Sequence, residues 1–160
     1  MNRENSLEVY LGLGSNEGDR RRNLDSAIAM IAAHDGIWLE KVSDIIETEP
    51  WGFSAEQNFL NCAVKLTVDS SIAPLELLDI CKSVEKSLGR VENIEYGSDG
   101  RRVYHSRPID VDILLYGNLR ISGGRLTVPH LQMAMRDFVM VPLRQIASED
   151  VRKLFPELKL

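Results

Sequence analysis

Three observations predict an α+β fold. Short stretches of alternating apolar and polar residues recur along the chain, as half-buried strands require. Two longer stretches between them carry apolar residues at helical spacing. Their order is strand, helix, strand, strand, helix, strand, the split βαβ arrangement of ferredoxin-like domains, with a mostly antiparallel sheet and helices packed on it. A C-terminal extension is predicted to add a hairpin and short helices.

The first strand is predicted over Leu7 to Leu13, with Val9, Leu11 and Leu13 on one face. It runs into Gly12-Leu13-Gly14-Ser15-Asn16, which lacks the third glycine of a dinucleotide loop and the Gly-Lys-Ser/Thr of a phosphate loop. Gly14 and Gly18 are therefore read as turn residues, and Ser15 or Asn16 as the cap of the next helix. That helix is predicted from Asp19 to His34, with Leu24, Ala27, Ile28 and Ile31 as its apolar stripe. His34 ends it in an exposed or capping role rather than as a ligand. Ile37 to Thr48 reads as one continuous second strand, broken by Glu49-Pro50-Trp51-Gly52-Phe53, and Phe59 to Val68 as the third. Asn61 is out of place on a strand by propensity. Its amide can satisfy a turn or read the edge of a flat heterocycle.

Pro74 opens the second helix, with Leu75, Leu78, Cys81 and Leu88 as its stripe and Gly89 as its C-terminal cap. Val91 to Tyr104 is polar and turn-rich, and is read as a mobile loop. The last strand, read in the stretch Arg107 to Gly117, places Ile109, Val111, Ile113 and Leu115 on one face. Asp110, Asp112, Leu114 and Tyr116 fall on the other. Asn118 to Thr127 is predicted as a hairpin turning at Gly123-Gly124. One short helical stretch is expected to begin at Val128-Pro129-His130 and another to run from Phe138 to Ile146, then a loosely packed tail from Val151 to Leu160.

Two carboxylates on one strand face lie roughly 6.5–7 Å apart at their Cα atoms. That spacing lets both reach a pair of cations, as in two-metal phosphoryl chemistry. Without a cation the two would repel, and one would be driven to protonate. A solvated face of an edge strand is the alternative left open by the strand alone. Arg107 beside the pair suits a polyphosphate ligand.

Composition narrows the classes. The chain has 160 residues, 44% hydrophobic and 27% charged, and is expected to form one domain, 1–160, with a core at about 7–147. The net charge of −5 argues against nonspecific nucleic-acid binding. No run is long enough to span a membrane, and Met1 to Ser6 has no apolar signal stretch. A cytoplasmic location is expected, with Cys62 and Cys81 as reduced thiols outside any zinc motif.

Several pieces occur in one order: Gly12-Leu13-Gly14-Ser15-Asn16, Asn61-Cys62-Ala63-Val64, Gly89-Arg90, Arg107-Pro108-Ile109-Asp110-Val111-Asp112-Ile113, Leu126-Thr127-Val128-Pro129-His130, Arg136-Asp137-Phe138 and Val141-Pro142-Leu143. Together they resemble the 6-hydroxymethyl-7,8-dihydropterin pyrophosphokinase family over about residues 7 to 147. The resemblance implies transfer of diphosphate from ATP to the pterin hydroxymethyl group, with AMP released, in folate biosynthesis. It implies two Mg²⁺ ions held by Asp110 and Asp112. It assigns the triphosphate to Arg90, Arg107, Arg125 and His130, with Thr127 and Ile113 near the nucleotide and Arg136 and Glu85 as further charged positions there. It assigns the pterin to Thr48, Trp51, Phe59, Asn61 and Phe138, with Tyr104 on a closing loop. Separate folate-pathway enzymes are the implied partners, since no dihydropteroate synthase segment follows.

Some positions depart from the family pattern. Glu49 and Trp51 replace smaller or uncharged residues, Leu131 replaces a common aromatic, and Glu92 stands where a basic residue is frequent. Arg101 or Arg102, in a lengthened loop, is the candidate replacement for that charge. Two other classes stay open at this point. One is a different two-metal enzyme on the same core, such as a nucleotidyl cyclase or polymerase-type transferase, which would release pyrophosphate. The other is a noncatalytic ligand-sensing module, which would tolerate loss of Asp110 and Asp112.

Overall fold

The computed structural model describes residues 5–49, 57–90, 95–103 and 107–160. Strands β1 (Ser6–Ser15), β2 (Ile37–Val42), β3 (Ile46–Thr48), β4 (Phe59–Asp69) and β7 (Asp110–Tyr116) form one antiparallel sheet. Its order is β2-β4-β1-β7, with β3 continuing β2 along β4. Helices α1 (Arg20–Ala32) and α2 (Pro74–Ser87) connect it as a ferredoxin-like domain requires.

Both helices cover one face. Leu24, Ala27 and Ile31 of α1 and Leu77, Cys81 and Val84 of α2 meet Val9, Leu11, Leu13, Val64, Leu66 and Ile113 in a continuous core. Each such aliphatic side chain removed from water contributes about 1.5–3 kcal/mol. The helix α1 cap is Asp19, whose carboxylate accepts from the Arg22 amide; Ser15 and Asn16 lie upstream as buried polar residues instead. Gly18 does turn the chain, at φ +72°, whereas Gly14 is an interior residue of β1. Pro74 opens α2 and Gly89 follows it at φ +96°, as expected. Its stripe is rotated from the one predicted: Leu75 is exposed, and Leu77, Val84 and Glu85 are buried.

The expected strand 37–48 is two strands. At the break, Ser43 Oγ accepts from the Ala63 amide at 2.8 Å, a hydroxyl taking the place of a ladder carbonyl. The Asp44 amide then donates to Gln145 rather than to the sheet.

The second face is only partly covered. Helix α3 (Asp137–Ile146) and helix α4 (Glu149–Leu154) bury Tyr10, Ala63, Leu114 and Leu115 beneath Met140, Leu143, Val151 and Phe155. The expected alternation of β7 fails here. Leu11 pairs with Ile113 and Tyr10 with Leu115, so Leu114 is an extra, bulged residue. The bulge sends Leu115 to the α3 face and Tyr116 to the α2 face, where its hydroxyl donates to the Ile72 carbonyl.

The tail is packed rather than loose: Val151, Phe155 and Leu158 are buried, and Ser148 caps α4 while donating to Glu8 at 2.6 Å. The predicted hairpin is present as β8 (Ile121–Ser122) and β9 (Thr127–Val128). Residues 128–130 are therefore strand and turn, and the helical turn comes later, at Met133–Met135. In the 91–104 loop, the described part pairs as β5 (Glu95–Tyr96) and β6 (Arg102–Val103). No helix among the described residues is long and apolar enough to cross a membrane.

Candidate active site

At the N-terminal end of α3, the second sheet face opens into a cleft. Its floor is set by register. Gly14 lies between Asp110 and Asn61, and Gly12 between Asp112 and Ala63. A row of side chains there would fill the space. A Cβ on Gly14 would stand 2.9 Å from Asn61 Oδ1 and 3.4 Å from the Phe59 ring. The two glycines, read from sequence as turn residues in part, are the floor of the site. No spacing rule signals this, because it depends on which strands lie alongside.

One end of the cleft is charged. Asp110 Oδ1 receives Arg90 at 2.8 Å and lies 3.3 Å from the Arg107 guanidinium. Behind them Glu85 is buried on α2, where its Oε2 accepts from Arg90 at 2.6 Å and from the Val111 amide at 2.8 Å. Its other oxygen lies 3.3 Å from Lys82 Nζ. Burial raises the Glu85 carboxyl's pKa against the pull of Arg90. Burial also opposes ionisation of Asp110, but Arg107 and Arg90 outweigh it and hold its pKa below the ordinary range. For Asp112 the balance is reversed: burial, then the charges of Asp110 and Glu85, outweigh the pull of Arg136 and Lys82 and push it up to about 8. A fixed carboxylate with that environment is stabilised by an added cation.

The other end is a slot. Phe59 and Phe138 line it with Asn61, whose Nδ2 donates to Thr48 Oγ1 at 2.7 Å. That bond fixes the amide, leaving Oδ1 above Gly14. Arg136 joins the two ends: it lines the cleft, lies 5.6 Å from the Phe138 ring centre and donates to Gln132. Burial and then Arg136 lower the pKa of His130, so its imidazole is neutral at neutral pH.

Of the residues singled out in the sequence, Thr48, Phe59, Asn61, Arg107, Asp110, Asp112, Arg136 and Phe138 line this one cleft. Arg90 joins them through Asp110, and Glu85 through Arg90. The Ile113 side chain is in the core on the helical face, so only its backbone can serve a nucleotide. Thr127 lies on β9 beside β7. Arg125 is paired with Asp79 on the exposed side of α2, at 2.6 Å. Glu49 lines the slot and Leu131 is exposed. Arg101 is exposed and bonded to Asp99. Trp51, Glu92 and Tyr104 lie outside the described residues.

Fold and cleft together define the class: a small ferredoxin-like domain with a cleft on one sheet face, charged at one end and lined by rings at the other. The sequence model of the 7,8-dihydro-6-hydroxymethylpterin-pyrophosphokinase (HPPK) family matches residues 10–148, and the chain belongs to that family. It is 43% identical over 140 residues to the 2-amino-4-hydroxy-6-hydroxymethyldihydropteridine pyrophosphokinase of Porphyromonas gingivalis, covering 87% of this chain and 90% of that one. The same enzyme of Bacillus subtilis is 38% identical over 141 residues, covering 88% and 78%. Among solved structures, a crystal structure of HPPK-DHPS in complex with substrates superposes with a TM-score of 0.62 at 12% identity. It covers 95% of this chain and 44% of that one, a likeness of fold. The chain acts in folate biosynthesis, transferring diphosphate from ATP to 6-hydroxymethyl-7,8-dihydropterin to give the pterin diphosphate and AMP.

Proposed function

We propose that this cleft carries out the transfer with Asp110 and Asp112 as cation ligands, the arginines as phosphate contacts and the aromatic slot as the pterin site. The observation that supports it most is the shared floor: Asp110 and Asn61 flank the same glycine, so a ring in the slot lies beside the acid pair. The donor set fits Mg²⁺. Among the described residues no group of three or more His, Cys, Asp or Glu could enclose a metal, and Mg²⁺ is commonly held by one or two carboxylates plus substrate phosphates and water. Two bound Mg²⁺ ions would supply neutralisation of the triphosphate and a lowered pKa at the pterin hydroxyl.

The protein's own contribution is positioning and fixed charge. Arg107, Arg136 and Arg90 bind phosphate oxygens, with Glu85 keeping Arg90 turned toward Asp110. Neutral His130 hydrogen-bonds without adding charge, and Arg125, Thr127 and the Ile113 backbone serve the nucleotide. Phe59 and Phe138 cover the pterin faces, and Asn61, braced by Thr48, reads its edge. Trp51 and Tyr104 are assigned to the pterin as well, on the family resemblance alone. Residues 1–160 act as one cytoplasmic domain, with other folate-pathway enzymes as partners. Relatives named as folate synthesis bifunctional proteins support that partnership.

The test is product analysis with ATP, MgCl₂ and the hydroxymethyl pterin. AMP is expected from the unaltered chain. Asp110→Asn and Asp112→Asn are each expected to lower turnover by about 10²–10³-fold with the far-UV circular dichroism kept. Undiminished turnover in both variants sinks the assignment.

A further inference from the structure

The Gly14-Ser15-Asn16 corner contains a buried polar residue that the reaction chemistry leaves unassigned. Asn16 is 2% exposed. Its Oδ1 accepts from the Arg107 amide at 2.7 Å, and its own amide donates to the Arg107 carbonyl at 3.0 Å. Both bonds fall on one residue 91 positions away along the chain.

The reason lies in the register. Strand β7 pairs with β1 up to Asp110 opposite Gly14. Continuing that register would set Asn16 opposite Pro108, which has no N–H to give. The ladder therefore cannot be extended by backbone alone. Asn16 passes over the proline and holds the next residue from both sides, one bond with the backbone and one with the side chain. The residue so held is Arg107, whose guanidinium lies 3.3 Å from Asp110 and lines the cleft. Its partner Asp110 is positioned from the other direction, by Gly14 across the ladder and by Arg90.

We propose that Asn16 is a positioning residue for Arg107: it sets where that backbone stands, and so where the guanidinium meets the phosphates. The inference rests on the role given to Arg107 above. A merely structural Asn16 closes the end of β1 and affects every ligand group alike. A positioning Asn16 acts through Arg107 and loses its effect when Arg107 is gone.

A double-mutant cycle separates these. Asn16→Ala, Asn16→Asp, Arg107→Ala and the Asn16→Ala/Arg107→Ala pair are assayed for kcat/KM toward ATP at saturating Mg²⁺, with circular dichroism and thermal unfolding as fold controls. Asn16→Ala is expected to lower kcat/KM by about tenfold or more, the scale of a small misplacement of a catalytic contact. Asn16→Asp, which keeps the acceptor oxygen, is expected to restore most of that. In the Arg107→Ala background, Asn16→Ala is expected to change kcat/KM by less than about twofold, a strongly non-additive pair. Additive losses, or an Asp variant no better than Ala, or unfolding of both Asn16 variants, overturns the proposal in favour of a structural residue. Full activity in Arg107→Ala overturns it by a different route, because it removes the role of Arg107 on which the inference stands.

Discussion

The same sheet face is finished in two ways. Beneath α3 and α4 it carries Tyr10, Ala63, Leu114 and Leu115, and the helices close over them without leaving a cleft. Two residues further along the same strands it carries Gly12, Gly14, Asn61, Asp110 and Asp112, and it stays open. Backbone and register continue from one half to the other. What differs is the side chains: the first half can be covered at a gain, whereas covering the second without a ligand would bury Asp112 further beside Asp110 and Glu85, whose charges already oppose its ionisation. The site is the part of the face that this chain cannot satisfy by itself.

The comparison can be broken most forcefully in the closed half. Leu143 is fully buried there, and Leu143→Ala is expected to destabilise the protein by about 2–5 kcal/mol in urea titration. Its KM values should change little while the protein is folded. A loss confined to KM would show that the halves are not separate. Next comes the charge of the open half. Asp112 titrates at about 8 in the folded protein against an ordinary 3.8, so the folded state holds its proton more tightly than the unfolded state. Its contribution to stability is intact at acid pH and is lost as pH rises from about 4 through 8. Asp110, lowered by its arginines, contributes the opposite slope, lost as pH falls. Melting temperatures of the ligand-free protein between pH 5 and 8.5 are therefore expected to fall less steeply in Asp112→Asn than in the unaltered chain. Identical slopes would remove the argument that this half is held open at a cost.

A smaller effect tests the floor. Gly14→Ala puts a methyl 2.9 Å from Asn61 Oδ1, and overpacking of this kind costs about 1–3 kcal/mol. Pterin affinity by calorimetry is expected to fall by about tenfold, with ATP-analogue affinity changed much less. Equal losses for both ligands would place the pterin elsewhere. The smallest effect belongs to a pair outside both halves. Asp79 and Arg125 are largely exposed, so Asp79→Ala is expected to shift stability by less than about 1 kcal/mol. A larger loss would mean that the pair anchors the β8–β9 hairpin.

How far these features could be read in advance depended on how local they were. Asp110 and Asp112 follow from period two within one strand, and that reading holds as far as Ile113. Leu114 also keeps its expected face, and the reading fails from Leu115 on, because a bulge is a mismatch between two strands, and β7 by itself does not record the length of β1. The break after Val42 was hidden for the same reason: Ser43 is a tolerable strand residue until the Ala63 amide is there to be accepted. The C-terminal tail looked loose because Val151, Phe155 and Leu158 are sparse in sequence. They are buried because α3 and β1 offer them a surface, and because Ser148 finds Glu8 and Tyr10.

The amino-acid order alone determined the two long helices, α2 with its proline and glycine ends, the strands that carry the carboxylates and Asn61, and the motif pieces of the pyrophosphokinase family. These depend on residues within a few positions of one another. Only the tertiary structure decided that Gly12 and Gly14 are a floor, that Glu85 accepts from the Val111 amide, and that Asn16 reaches Arg107. Each of these is a contact between segments far apart in the chain, and its meaning comes from the partner that folding brings opposite.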